Sequence, residues 1–113
     1  MEARATQKHI RVSPQKARLV VDLIRGKNAG EALSILTYTK KRVTQAVEKV
    51  LRSAIANAEQ KAEHLDVDQL VVSKAYVNEG PRSKRTRPAP MGRAYRYQRR
   101  MSHITVVVES PEA

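Results

Sequence analysis

The sequence predicts an α+β fold: a three-stranded antiparallel sheet packed by three helices, with two strands extended into a long basic β-hairpin. Three observations predict it. Runs of β-branched residues at 70–77 (LVVSKAYV) and 104–108 (ITVVV) read as strands, and neither contains Gly or Pro. Between residues 14 and 62, apolar residues recur at helical spacing in three segments. The two strand-like runs flank EGPRSKRTRPAPMGRAYRYQRRMSH (79–103), which has almost no aliphatic content and cannot bury a core of its own. That stretch holds Arg82, Lys84, Arg85, Arg87, Arg93, Arg96, Arg99 and Arg100, eight of a net charge of +11.

In chain order, residues 2–12 read as a strand, with Ala3 and Ala5 alternating against Arg4 and Thr6. Ser13-Pro14 is an N-cap followed by proline at the first helical position, where the missing N–H costs nothing. The helix is expected from Pro14 to about Arg25. Ala17, Val20, Val21, Leu23 and Ile24 would share one side, with Gln15, Arg18, Asp22 and Arg25 on the other. Gly26 then supplies a left-handed cap. For Arg18 and Arg25 two readings stand: a solvated face with an Arg18–Asp22 pair, or contact with RNA.

Asn28 with Glu31 resembles a capping box, opening a short helix on Ala29, Ala32, Leu33 and Leu36. Thr39 is the expected N-cap of a third helix running from Lys40 to about Ala62, with Val43, Val47, Val50, Leu51, Ala54 and Ala58 as its apolar stripe. Ala54, Ala56 and Ala58 would allow close packing on a sheet, and Asn57 is expected to bond local backbone. Residues 66–68 read as a connection, and the tail from Ser110 as frayed.

The 26 residues between the two strong strands (78–103) are too many for a structureless loop in a compact domain. Gly80-Pro81 should bend the outgoing arm, while Pro88, Pro90 and Gly92 mark the tip, because proline cannot donate to a ladder. An unsupported two-stranded ribbon is marginal in water, so the arm is expected to be ordered by a partner. One domain is expected over 1–113, with a globular base at 1–79 and 102–110 and the hairpin protruding at 80–101.

Several classes fall away. There is no Cys, so neither disulfides nor thiolate metal sites are available. The start, MEARATQKHI, reads as neither a signal nor a transit peptide. No window approaches 18 apolar residues, so no membrane-spanning helix is expected. His9, His64 and His103 are scattered without metal-ligand spacing, and Glu63, Asp66 and Asp68 flank a turn. No phosphate loop, nucleophile elbow or activated Ser is present. Neither catalysis, nor metal, nor cofactor is expected.

What remains is a polyanion partner, because charge this concentrated on a small chain points to nucleic acid. Arginine makes bidentate contacts to phosphate and stacks on bases. Tyr95 and Tyr97, interleaved with Arg96, either stack unpaired bases or merely cover the ribbon. An extended finger suits folded RNA, whose shape and backbone are read. Groove-binding DNA proteins would want a contiguous basic helix, and a membrane-surface peptide would want an amphipathic basic helix; neither is offered.

The segments IRVSPQKARLVVDLIRGK (10–27), SAIANAE (53–59) and EGPRSKRTRPAPMGRAYRYQRRMSHITVVV (79–108) resemble the bacterial large-subunit ribosomal protein twenty-two family, in that family's order and spacing. The likeness runs from about residue 3 to 109. It implies three helices against a three-stranded sheet and a long hairpin. It also implies a globular part bound to large-subunit rRNA near the polypeptide exit, and a hairpin lining the nascent-chain exit tunnel. Family members act early in subunit assembly, and their hairpin tip neighbours the macrolide site. The implied partners are large-subunit rRNA, neighbouring large-subunit ribosomal proteins and the nascent polypeptide, on cytoplasmic ribosomes and with no membrane. Ser83-Lys84-Arg85 and Gly92-Arg93-Ala94 match the family's outgoing and returning arm segments. Ala89-Pro90 departs from it, since the family usually has proline, arginine and alanine before that glycine.

Candidate rRNA-binding residues in the base are Lys8, Arg11, Lys16, Arg18, Arg25, Lys27 and His103. In the hairpin they are Arg82, Lys84, Arg85, Arg87, Arg93, Arg96, Arg99 and Arg100. The tip is expected at Arg87, Pro88, Ala89, Pro90, Met91 and Gly92.

Overall fold

In a computed structural model, three helices cover one face of a three-stranded antiparallel sheet. The structure describes residues 2–61, 69–81, 83–88 and 94–110, with 83–88 and 94–99 as backbone. The elements are β1 (Glu2–Ile10), α1 (Pro14–Ile24), α2 (Ala29–Tyr38), α3 (Thr44–Lys61), β2 (Val71–Glu79), β3 (Ser83–Pro88), β4 (Ala94–Arg99) and β5 (Ser102–Glu109). The sheet order is β1-β5-β2, and β3 and β4 form a separate two-stranded sheet.

β1 alternates as expected: Ala3 faces the core opposite Val108, and Arg4 lies opposite Val107 on the other side. The strand stops two residues short of the expected end. Its register shifts between Gln7 and Ile10, where His9 takes φ 60°. The Val12 N–H then closes a tight turn on the Ile10 carbonyl at 2.8 Å, swinging the chain into α1.

α1 begins where Ser13-Pro14 predicts, with the Ser13 hydroxyl accepting from the Lys16 N–H. Gly26, at φ 79°, turns the chain out of it. Ala17, Val20, Val21 and Ile24 are buried, but Leu23 is 43% exposed. At helical spacing Leu23 sits about 110° from the centre of that stripe, beyond the surface the sheet can cover. Asp22 pairs with Arg25 (2.8 Å), whereas the guanidinium of Arg18 donates to the Val77 carbonyl; the expected Arg18–Asp22 pair gives way to these.

The Asn28 side chain accepts from the Gly30 N–H at 2.9 Å and opens α2. Thr39 does not cap α3. It closes α2 instead: its hydroxyl donates to the Ile35 carbonyl at 2.6 Å and its N–H to that of Leu36. α3 consequently starts at Thr44 rather than Lys40. Three adjacent cations, Lys40, Lys41 and Arg42, are unfavourable at the positive end of a helix dipole. Along α3, Val47, Val50, Leu51, Ala54 and Ala58 are buried as expected, but Ala56 is exposed on the opposite side.

The core joins these helical stripes to Val72, Ala75 and Val77 of β2 and Ile104, Val106 and Val108 of β5. Helices also finish both sheet edges. Arg18 and Arg25 of α1 donate to the outward carbonyls of Val77 and Ala75 on β2. The turn at 26–29 extends that ladder, through Gly26 N–H to Val72 carbonyl (2.9 Å) and Val72 N–H to Lys27 carbonyl (2.8 Å). On the β1 edge, Asn57 and Lys61 of α3 donate to the Arg4 and Glu2 carbonyls, both at 2.9 Å. Asn57 therefore bonds backbone, though a distant strand rather than its own helix.

Candidate nucleic-acid interface

The basic arm grows directly out of β2 and β5. The base sheet ends at Glu79 opposite Ser102, and the arm ladder begins at Ser83 opposite Arg99. Between them the register advances by one residue, and the Gly80 N–H donates to the Met101 carbonyl at 2.8 Å. Gly80 is required there by close approach. A Cβ at that position would lie 3.1 Å from the Met101 carbonyl oxygen and 3.2 Å from Cε1 of His103.

Within the arm, Lys84 stands opposite Gln98, Arg85 opposite Tyr97, Thr86 opposite Arg96 and Arg87 opposite Tyr95. Arg85, Arg87 and Arg99 thus share register parity with both tyrosines, while Lys84 and Arg96 take the other parity. The cationic positions are thus divided between the two register parities of the ribbon. Pro88 closes β3 opposite Ala94, so it ends the outgoing arm instead of lying in the turn. A strand end on an edge is where proline's missing donor does least harm. Arg82, Arg93 and the tip positions Ala89, Pro90, Met91 and Gly92 lie outside the described residues.

In the base, the predicted cations separate into three groups. Lys8, Arg11, Lys16 and Arg100 are exposed at the root of the arm, around the Ile10–Ser102 pairing and the start of α1. The half-buried His103 joins them, accepting the His9 N–H on Nδ1 at 3.1 Å, with the two imidazoles edge to face at 5.1 Å. Arg18 and Arg25 are already engaged. Nε and a terminal nitrogen of Arg25 reach the Ala75 carbonyl at 3.1 and 2.7 Å, and its other terminal nitrogen reaches Asp22. Lys27 is exposed at the opposite end of the sheet, beside Val72, away from the root.

Sequence reasoning left out Arg4, Lys74 and Tyr76, which the strand register places on the helix-free side of the sheet. The period-two alternation of β1 carried the signal for Arg4. Lys74 was harder to place, because β2 shifts register between Val72 and Lys74. Among the described residues no group of three or more His, Asp or Glu could hold a metal ion, and no helix is long and apolar enough to cross a membrane.

The family model for ribosomal protein L22p/L17e matches residues 5–109, spanning the base and the whole arm. The chain belongs to that family. It is 66% identical over 113 residues, the full length of both chains, to the large ribosomal subunit protein uL22 of Solibacter usitatus. It is 57% identical over 108 residues to the protein of the same name from Oceanobacillus iheyensis, covering 96% of this chain and 95% of that one. The family is a structural ribosomal component, not an enzyme.

Proposed function

We propose that this protein is a structural constituent of the large ribosomal subunit that binds large-subunit rRNA and assists subunit assembly. Its base sits near the polypeptide exit, against neighbouring ribosomal proteins, and its arm lines the nascent-chain exit tunnel. The observation that carries this reading is the arm itself. Lys84, Arg85, Arg87, Arg96 and Arg99 sit on a two-stranded ribbon separate from the three-stranded sheet on which the helices pack.

A ribbon without a core of its own is marginal in water, and like charges along it repel. Threading it between RNA strands removes both penalties: phosphates neutralise the arginines and RNA supplies the missing packing. The cations at the root, Lys8, Arg11, Lys16 and Arg100, together with the His103 ring, would extend the same contact around the arm's exit from the base. By sequence position Arg82, just before β3, and Arg93 with the segment 89–92, between β3 and β4, belong to this reading.

The test compares binding to large-subunit rRNA fragments with binding to duplex DNA at physiological salt. Preference for the rRNA fragments is expected, and equal affinities would sink the proposal. Deleting 82–85 should leave subunit incorporation intact while reshaping the tunnel, because the base anchors and the arm probes. A deletion protein that fails to enter subunits would refute that division.

A further inference from the structure

We infer that the helix-free face of the base sheet is a second RNA-contacting surface, one that stacks an unpaired base on Tyr76 and seats flanking phosphates on Arg4 and Lys74. This rests on the reading of the chain as an RNA binder but concerns a face the arm does not occupy. The register of the three strands builds it. Arg4, Val107 and Lys74 form one cross-strand row, and Thr6, Thr105 and Tyr76 the next. Successive rows on one face lie about 7 Å apart, close to the phosphate spacing of an extended single strand.

The centre of this face is low and its rim is tall. Thr105 and Val107 are 4% and 7% exposed although no described helix packs over them. They are small residues on the central strand: Arg4 and Lys74 flank Val107 on either side, while Thr105 has Tyr76 on the β2 side and Thr6, of its own size, on the β1 side. The Thr6 and Thr105 hydroxyls bond each other at 3.0 Å, so the floor is fixed and its polar groups are satisfied. Tyr76 stands on the rim at 38% exposed, an aromatic ring held on a rigid strand.

The charge on this face suits an anion. Among the described residues the ion pairs are Asp22–Arg25 and Glu48–Arg52, both on helices, so neither Arg4 nor Lys74 is neutralised. The described acids on this side, Glu2 and Glu109, lie opposite each other in register at the end remote from the arm. They bound the surface and leave its positive part continuous with Lys8 at the arm root. An aromatic ring with flanking cations on an open sheet matches unpaired RNA, whose bases are free to stack, better than a duplex, whose bases are not.

The experiment measures anisotropy of a labelled single-stranded U-rich RNA decamer and its duplex counterpart. It uses the full chain carrying Arg85→Gln, Arg93→Gln and Arg99→Gln, so that the arm does not mask the face. In that background Tyr76→Ala, and separately Arg4→Gln with Lys74→Gln, should each weaken single-strand binding about tenfold. Tyr76→Phe should keep it, since the ring and not the hydroxyl carries the contact. Decamer affinities unchanged by both Tyr76→Ala and the double substitution, in chains that retain their helical signal, would overturn the inference. Tighter binding of the duplex than of the single strand would also overturn it. If the unsubstituted chain ignores large-subunit rRNA fragments altogether, the proposed function falls first. If it binds them and loses affinity on arm neutralisation while the face variants change nothing, this inference alone falls.

Discussion

In the base, Arg25 divides its guanidinium between the Ala75 carbonyl and the Asp22 carboxylate, and Arg18 donates to Val77. In the arm, Arg85, Arg87 and Arg99 occupy one parity of a ribbon that lies outside the described core. The residue type is the same and the duty is opposite. Arg18 and Arg25 finish an edge strand and so serve folding; on the proposed function the arm arginines are left for a partner. Net charge counts both kinds alike, and only the register of helix against strand tells them apart.

Four variants probe that contrast. Leu51→Ala, at a fully buried position of α3, should cost about 2–5 kcal/mol in urea denaturation. An unchanged midpoint would mean that the base is not the folding unit. Neutralising Arg85, Arg93 and Arg99 together should leave that midpoint in place but weaken binding to large-subunit rRNA about ten- to a hundredfold. It should also flatten the dependence of log affinity on log salt by about 2–3, since each lost phosphate contact removes nearly one unit. Loss of helical signal in this variant would show the arm to be part of the core.

Arg25→Gln should do the converse, lowering stability by about 1 kcal/mol while leaving RNA affinity within about twofold. A larger loss of affinity than of stability would move Arg25 to the RNA-binding side of the comparison. Smallest of all, Glu48→Gln breaks the exposed Glu48–Arg52 pair of α3 and should shift stability by only about 0.3 kcal/mol. A shift above about 1 kcal/mol would show surface charge contributing more to the base than its geometry allows.

Much of the base was legible in the chain because its signals are local. Ser13-Pro14 and Gly26 bracket α1, the stripe from Val47 to Ala58 orients α3, and ITVVV lies at the centre of the sheet. The misreadings share one cause. Thr39 closes a helix instead of opening one, because hydroxyls serve either end and the three cations after it disfavour a start. Leu23 is apolar, but the sheet does not reach it. Pro88 reads as a turn residue yet ends a strand whose pairing depends on residues across the ribbon. At the site, the arm's cations were evident from their density. The tasks of Arg18 and Arg25, and the shared face of Arg4, Lys74 and Tyr76, follow from strand order and from two register shifts that no local pattern encodes.

The capped edges of the sheet bear on how this protein keeps its own company. An open strand edge is a template on which a second copy can pair, and the base offers little of one. Arg18, Arg25 and the turn at 26–29 occupy the β2 side, and Asn57 and Lys61 the β1 side. The ribbon of β3 and β4, by contrast, has an outer edge on each strand within its two-stranded sheet. Self-association before assembly would therefore start at the arm. On the proposed function the arginines that meet RNA would also make two such ribbons repel, so one set of charges would both recruit the partner and keep the chains apart.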